Sequence, residues 1–263
     1  MKYTDEKCLV INNMKCCDYE PAAVFDMTVR APEIAKTAKC GQFVNILCGD
    51  KILRRPISIC EIIGDILRLV YQVKGEGTAW MSKLESGDNT MIFGPLGNGF
   101  EKAMKIKFKE MPKNIVLIGG GIGVPPMLET LKQTGGDVIL GFRGKEHIIL
   151  ENDFKKYSQN VKITTDDGSA YRKGFVTDIL IENLKEKEYD TVLACGPMPM
   201  LKAIADIAAQ KNIPCFVSTE ERMGCGIGAC LVCACKLKSQ GFDGYARVCA
   251  DGPVFNARYI DWD

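Results

Sequence analysis

The pattern of apolar and polar positions changes once along this chain, near residue 100. Before that point the signal is alternation. Gly41-Gln42-Phe43-Val44-Asn45-Ile46-Leu47 alternates as a half-buried strand does. Residues 57–63 and 66–73 are β-branched runs joined by Gly64-Asp65, which predicts a two-residue hairpin loop. A short helix is expected next, with Thr78 as its N-cap, Met81 and Leu84 on its apolar face and Gly87 at its end. Several short strands and one helix predict a small antiparallel β-barrel over residues 1–98.

From residue 114 onward, apolar strand-like runs alternate with helical stretches. The strands are expected at 115–118, 138–142, 161–165, 191–194 and 215–218. Helices are expected over 127–133 and 200–210, the second with Leu201, Ile204, Ala205 and Ala208 on one face. Near-continuous apolar strands separated by helices predict a doubly wound parallel sheet, an α/β domain over residues 99–218. The tail, 219–263, is too short for a core of its own and reads as a small third domain organised by whatever its cysteines bind.

Composition narrows the class. A chain of 263 residues with 46% hydrophobic and 25% charged content is an ordinary globular protein of two or three domains. Its 34 basic and 33 acidic residues leave a formal charge of +1, which gives no electrostatic footprint for nucleic acid or anionic lipid. The first residues, Met1-Lys2-Tyr3-Thr4-Asp5-Glu6-Lys7, resemble neither a signal peptide nor a membrane anchor. Thirteen cysteines without an export signal lead us to expect a reducing, cytoplasmic setting.

Four of those cysteines carry the strongest chemical signal. Cys225, Cys230 and Cys233 stand in Cys-Gly-Ile-Gly-Ala-Cys-Leu-Val-Cys, with fifteen residues between Cys233 and Cys249. This is the C-x4-C-x2-C…C spacing of plant-type ferredoxins, in which four thiolates hold a 2Fe-2S cluster. Gly224, Gly226 and Gly228 stand where backbone N–H groups would have to approach sulfur closely. Three other uses of the cysteines compete. A tetrahedral zinc site usually shows two short paired spacings, a disulfide framework needs an oxidising compartment, and buried structural cysteines are common. Cys230 and Cys235 are also separated by four residues, but without flanking glycines Cys235 is expected to be a bystander.

Two further motifs are weaker alone. Arg54-Arg55-Pro56-Ile57-Ser58-Ile59 opens a strand, and Val70-Tyr71-Gln72 leads through Lys74-Gly75-Glu76 to Gly77-Thr78. Arg55 offers a fork of donors to a phosphate or a ring oxygen, Ser58 a hydroxyl, and a helix N-terminus at Gly77-Thr78 a place for pyrophosphate. A surface Arg pair before a plain strand is the competing account. In the second part, Gly119-Gly120-Gly121-Ile122-Gly123-Val124-Pro125-Pro126 lies between an expected strand and helix, where phosphates can approach backbone. Cys195-Gly196-Pro197 follows another strand, and a packed core cysteine is its simpler explanation. His147, the one histidine, sits in an expected loop, and Asp166-Asp167-Gly168-Ser169 reads as a turn. No Ser-His-Asp set or glycosidase-like carboxylate pair is evident, so no residue is assigned a hydrolytic role.

Arg-x-Pro-x-Ser-Ile, the Tyr-containing strand and Gly-x-Gly-Thr together resemble the FAD-binding barrel of the ferredoxin reductase superfamily. Gly94-Pro95-Leu96-Gly97-Asn98-Gly99-Phe100 resembles its interdomain loop, and the Gly-rich turn and Cys-Gly-Pro resemble its nucleotide domain, with Pro125 where alanine is more usual. With Glu220-Glu221-Arg222-Met223 before the cluster motif, essentially the whole chain resembles the electron transfer subunits of class B dihydroorotate dehydrogenase. That resemblance implies FAD at Arg55, Pro56, Ile57, Ser58, Val70, Tyr71, Gln72, Gly77 and Thr78, with Tyr71 against the flavin or ribose. It implies NAD at Gly121, Gly123 and Cys195, and a 2Fe-2S cluster on Cys225, Cys230, Cys233 and Cys249. It further implies a role in pyrimidine biosynthesis, with electrons passing from the FMN of a separate catalytic subunit through the cluster and FAD to NAD. The implied assembly is a heterotetramer of two plus two chains. A flavin suits that position because it exchanges two electrons with nicotinamide and single electrons with a cluster. Two alternatives stand beside this one: the small subunit of an NADPH-dependent ferredoxin or sulfide oxidoreductase, and a non-catalytic redox-sensing or zinc-binding module. Arg143 and Lys145 could meet a 2′-phosphate, so the choice of NAD over NADP rests on the resemblance.

Overall fold

The computed structural model describes residues 3–17, 22–238 and 244–262. The N-terminal part is one seven-stranded antiparallel sheet. Its strands are β1 (Thr4–Cys17), β2 (Val24–Arg30), β3 (Phe43–Ile46), β4 (Arg55–Ser58), β5 (Glu61–Ile63), β6 (Ile66–Gln72) and β7 (Asn89–Leu96), in the order β4-β3-β7-β1-β2-β6-β5. Helices α1 (Pro32–Ala35) and α2 (Glu76–Met81) lie in its connections. Alternation places Val10, Met27, Val44, Leu67, Leu69 and Ile92 in one apolar interior.

The hairpin over Gly64-Asp65 is present, with Ile63 opposite Ile66 and Gly64 at φ 61°. The run expected as one strand over 57–63 is two. β4 pairs with β3 and β5 pairs with β6, so the chain changes partner at Ile59 and Cys60. Ile59 N–H donates to Gln42 O at 3.0 Å and Cys60 N–H to Arg68 O at 2.9 Å, which makes a buried corner. Helix α2 also begins earlier than expected. Gly75 is its N-cap, and Thr78 sits one turn inside, its hydroxyl accepting from Lys74 N–H at 2.9 Å and Gly75 N–H at 3.1 Å. Thr78 therefore closes the turn from within.

The second part begins with α3 (Phe100–Lys107). It continues through β8 (Ile115–Gly120), α4 (Pro125–Thr134), β9 (Asp137–Phe142), α5 (Glu151–Tyr157), β10 (Val161–Thr165), β11 (Arg172–Lys173), α6 (Val176–Glu186), β12 (Thr191–Cys195), α7 (Met198–Gln210) and β13 (Cys215–Ser218). Its sheet runs β11-β10-β9-β8-β12-β13 and is parallel throughout these strands. Ile115 and Leu117 face α3, α4 and α5, while Val116 and Ile118 face α6 and α7, so each side of the sheet has its own core. Leu201, Ile204, Ala205 and Ala208 are the buried stripe of α7. The parallel sheet is doubly wound, and the order in which strands are added reverses between β8 and β12.

The tail holds β14 (Ala234–Lys236) and β15 (Tyr245–Arg247), a two-stranded pair, and β16 (Val254–Asn256). It is less independent than its length suggests. β16 joins the large sheet antiparallel to β13, with Ser218 opposite Val254 and Phe216 opposite Asn256.

Candidate functional site

The four motif cysteines come together. Gly226 (φ 75°), Gly228 (φ 82°) and Leu231 (φ 60°) adopt left-handed backbone that turns the loop around its own sulfurs. Ala229 N–H points at Cys225 Sγ from 3.2 Å, Cys230 N–H at the same sulfur from 3.4 Å, and Gly228 N–H at Cys249 Sγ from 3.2 Å. The sulfurs lie two and two. Cys225 N–H approaches Cys230 Sγ at 3.4 Å, and Cys233 Sγ is 3.1 Å from Cys249 Sγ. Two adjacent thiol pairs suit a centre containing two metal atoms.

The electrostatics fit that centre. Burial opposes ionisation of Cys225, but N–H groups of Ile227, Cys230 and Ala229 outweigh it and bring the thiol down to about 6. Cys249 is pushed up to about 12 by burial and by Cys233 beside it. Two buried thiols at that spacing become thiolates together only when cations hold them. Cys235 lies on β14 opposite Ala246, and burial pushes it up to about 11. Arg247 braces the loop, donating to Gly228 O at 3.1 Å and to Asp251 Oδ2 at 2.9 Å.

The cluster loop is seated on the barrel. Phe43 and Leu96 share a small buried core with Cys233, Val248 and Cys249. A Cβ on Gly226 would lie 2.3 Å from Asn45 Nδ2 and 3.1 Å from Leu96 Cδ1. Asn98, in the interdomain loop, donates from Nδ2 to Ala250 O at 2.9 Å and from its backbone to Gly252 O at 2.6 Å. Asn45 and Asn98 carry this seating, and the motifs in the sequence do not mark them for it. For Asn45 the available signal is its outward place in an alternating strand.

The flavin motif lies next door. Asn45 is the ladder partner of Pro56, and β4 is an edge strand, where proline's missing N–H costs no ladder bond. Arg55 reaches across to α2: a Cβ on Gly77 would stand 2.1 Å from its Nε, so glycine leaves room for the guanidinium. Arg55 also donates to Leu53 O. Strand β6 alternates at this point. Tyr71 points into the barrel, 1% exposed, stacked on Phe25 at 5.8 Å, with its hydroxyl donating to Asn13 Oδ1 at 3.1 Å. Its ring is thus packed inside the barrel, where the resemblance set it against flavin or ribose. On the other face of β6, Val70 is buried in the core shared with the nucleotide domain, and Gln72 is half-buried, its Nε2 donating to Ala22 O at 3.5 Å.

The nicotinamide motif gathers at the reversal point of the sheet. Cys195, at the end of β12, is the register partner of Gly119. A Cβ on Gly123 would meet Cys195 O at 2.5 Å and Gly196 Cα at 2.6 Å, so the two turns pack backbone to backbone, and one on Gly120 would meet the Met200 side chain, Sδ at 2.4 Å. At Gly121 (φ 54°) a Cβ would meet nothing within 4 Å, so this residue faces open space. The crevice at the carboxyl ends of strands where their order reverses is where open α/β sheets bind ligands. Cys195 is 3% exposed, and its thiol is pushed up to about 12 by burial first, with Glu220 adding to it. Asp167 Oδ1 accepts from Ser169 N–H at 2.9 Å and from its hydroxyl at 2.7 Å, the turn expected of Asp-Asp-Gly-Ser. His147 lies in a short turn beside Glu146, its Nδ1 3.7 Å from Oε1.

An antiparallel barrel, a doubly wound nucleotide domain and a two-metal thiolate loop define a ferredoxin-reductase-type electron carrier with an iron–sulfur segment. Comparison with known proteins agrees. Residues 220–261 match the iron–sulfur cluster binding domain of dihydroorotate dehydrogenase B, and residues 117–206 match the oxidoreductase NAD-binding domain. The chain is 37% identical to the dihydroorotate dehydrogenase B (NAD(+)) electron transfer subunit of Fusobacterium nucleatum, over 97% of this chain and 98% of that one. The subunit of the same description from Clostridium perfringens is 41% identical over 84% of this chain and 87% of its own. The chain belongs to the family of dihydroorotate dehydrogenase B electron transfer subunits. Among solved structures, an NADH-dependent reduced ferredoxin-NADP oxidoreductase superposes with a TM-score of 0.82 at 30% identity, covering 97% of this chain and 90% of that chain. A ferredoxin-NADP+ reductase from Plasmodium falciparum, 14% identical with a TM-score of 0.58 over 78% of this chain and 89% of its own, shares the fold.

Proposed function

We propose that the chain is the electron transfer half of an NAD-linked dihydroorotate dehydrogenase, acting with a separate catalytic subunit that carries FMN, two copies of each. The observation that carries this reading is adjacency: the cluster loop rests on Asn45, whose strand partner is Pro56 of the flavin motif. FAD would be held by Arg55, Pro56, Ile57 and Ser58, by the backbone of Val70, Tyr71 and Gln72, and by Gly77 and Thr78. NAD would be held at Gly121, Gly123 and Cys195, and the 2Fe-2S cluster by Cys225, Cys230, Cys233 and Cys249. When bound, FAD supplies the exchange between two-electron nicotinamide chemistry and single-electron transfer to the cluster.

The protein's own groups do the rest. Arg55 beside Gly77 sets a fixed cation where a pyrophosphate would lie. Cys195, a buried neutral thiol, lines the nicotinamide crevice without adding charge. Glycines at the reversal point let the dinucleotide reach backbone. Cys230, Leu231 and Val232 are exposed beside the thiolate loop, and we assign this face to the catalytic subunit. No helix among the described residues is long and apolar enough to cross a membrane. We place the complex in the cytoplasm, where thirteen cysteines would stay reduced.

The likeness to the ferredoxin-NADP oxidoreductase over nearly the whole chain supports a second reading, a small subunit serving ferredoxin. Capture separates the two. The tagged, cofactor-loaded chain should retain a cognate dihydroorotate dehydrogenase catalytic subunit on a column. Failure to retain it, with retention of a ferredoxin oxidoreductase large subunit instead, would favour the second.

A further inference from the structure

Outside these motifs, one set of buried charges crosses between barrel and nucleotide domain. Glu129, in α4, is 4% exposed. Its Oε2 accepts from Ile62 N–H at 2.9 Å, and its own N–H donates to Cys60 O at 3.0 Å. Gln133 donates to the other carboxylate oxygen at 2.7 Å. Lys132 Nζ donates to Ile62 O at 2.8 Å and lies 3.2 Å from Glu61 Oε1. On the far side, Arg68 of β6 ties Asp26 at 2.7 Å to Asp153 of α5 at 3.1 Å.

Such a buried ionic set is a weak source of stability compared with apolar packing, and its better-attested use is to fix one arrangement. Its attachment points give that arrangement a consequence. Cys60 stands two residues past Ser58 of the flavin motif, and Glu129 six residues past Gly123 of the nicotinamide turn. The two cofactor motifs are thus bolted together through a few residues of rigid strand and helix.

We propose that Glu129 is a positioning residue for hydride exchange, holding the nicotinamide turn at a fixed approach to the flavin strand. The inference rests on the flavin and nicotinamide assignments above. In the step concerned, the nicotinamide C4–H bond breaks, its hydrogen and both electrons pass to FAD, and NADH becomes NAD+. A misplacement of about 1 Å in such a step costs on the order of a hundredfold in rate. Removing the carboxylate also leaves the half-buried Ile62 N–H without its acceptor.

The test uses the FAD-loaded chain with its cluster. Stopped-flow reduction of flavin by NADH is compared for wild type, Glu129→Ala and Glu129→Gln, beside hydrogen exchange at the 60–62 amides. Glu129→Ala should slow flavin reduction at saturating NADH tenfold or more and speed exchange at Ile62, with FAD content unchanged. Glu129→Gln, which keeps an oxygen for Ile62, should stay within about threefold of wild type. Flavin reduction within twofold of wild type in Glu129→Ala would overturn the proposal. If that variant does not fold, Lys132→Met serves: slowing of threefold or more supports the clamp, and an unchanged rate overturns it. A wild-type chain that binds no FAD or passes no hydride from NADH would instead defeat the cofactor assignments.

Discussion

Gly226 and Asn45 are held too close for any side chain between them: a Cβ on the glycine would lie 2.3 Å from the amide nitrogen. This contact joins the thiolate loop to the strand that pairs with the flavin motif. Asn45 is 2% exposed and its Oδ1 has no hydrogen-bond partner among the described residues. Gly226→Ala adds a clash to a left-handed backbone position, which costs about 1–2 kcal/mol by itself. The variant should keep FAD and lose cluster occupancy, read as iron per chain. Adding Asn45→Ala should restore part of the iron, because it removes the obstructing amide.

The ligand set makes a second prediction. Iron and acid-labile sulfide should each approach two per chain in the wild-type protein. Cys230→Ser should abolish the cluster's visible absorbance and Cys235→Ser should leave it intact. A cluster that survives the first change and not the second would reverse the assignment of those two thiols.

For the flavin, the close approach of Arg55 to Gly77 is the sensitive point. Gly77→Ala and Arg55→Lys should each weaken flavin retention by about tenfold, the scale of one charge-assisted hydrogen bond. The flavin released from wild type and identified by chromatography should be FAD. FMN in its place would remove the argument for a pyrophosphate at Gly77.

Much of this is legible in the chain because each part has its own period. β-branched alternation marks the hairpin over Gly64-Asp65, and the apolar spacing of Leu201, Ile204, Ala205 and Ala208 marks the buried face of α7. Cysteine spacing marks the thiolate loop, since few structures need four thiols so arranged. What stays hidden depends on long-range partners. The corner at Ile59 and Cys60 exists because two neighbouring strands pair with different partners, which no local pattern encodes. Tyr71 follows the same rule: alternation along β6 sends its ring inward, although the motif alone sends it to the flavin. Strand β16 carries no sequence signal because three residues show no period, and the edge of β13 decides their conformation.

Acid stability should depend on Asp137. Its carboxylate accepts from Tyr189 at 2.6 Å, from Lys187 at 2.9 Å and from Asn160 at 3.0 Å. Burial acts against ionisation there, but these donors outweigh it and hold the group below its ordinary value of 3.8. A lowered carboxylate contributes stability that is complete above the unfolded value and disappears as pH falls through the folded one. Asp137→Asn should therefore lower the thermal midpoint at pH 6, by the equivalent of about 1–3 kcal/mol. The gap from wild type should close below pH 3.8. A gap that stayed constant through that range would show that shape, not charge, sets the contribution.

The division of labour between two chains is the centre of this account, and a reconstitution assay tests it most directly. The cofactor-loaded chain is mixed with a purified cognate catalytic subunit, and NADH formation from dihydroorotate is followed at constant NAD. The chain alone should oxidise NADH with an artificial acceptor and form no NADH from dihydroorotate. With the catalytic subunit present, dihydroorotate-dependent NADH should appear, and it should be lost when Cys230→Ser replaces the wild-type chain. NADH formation from dihydroorotate by this chain alone, or none with a competent partner bound, would contradict the account.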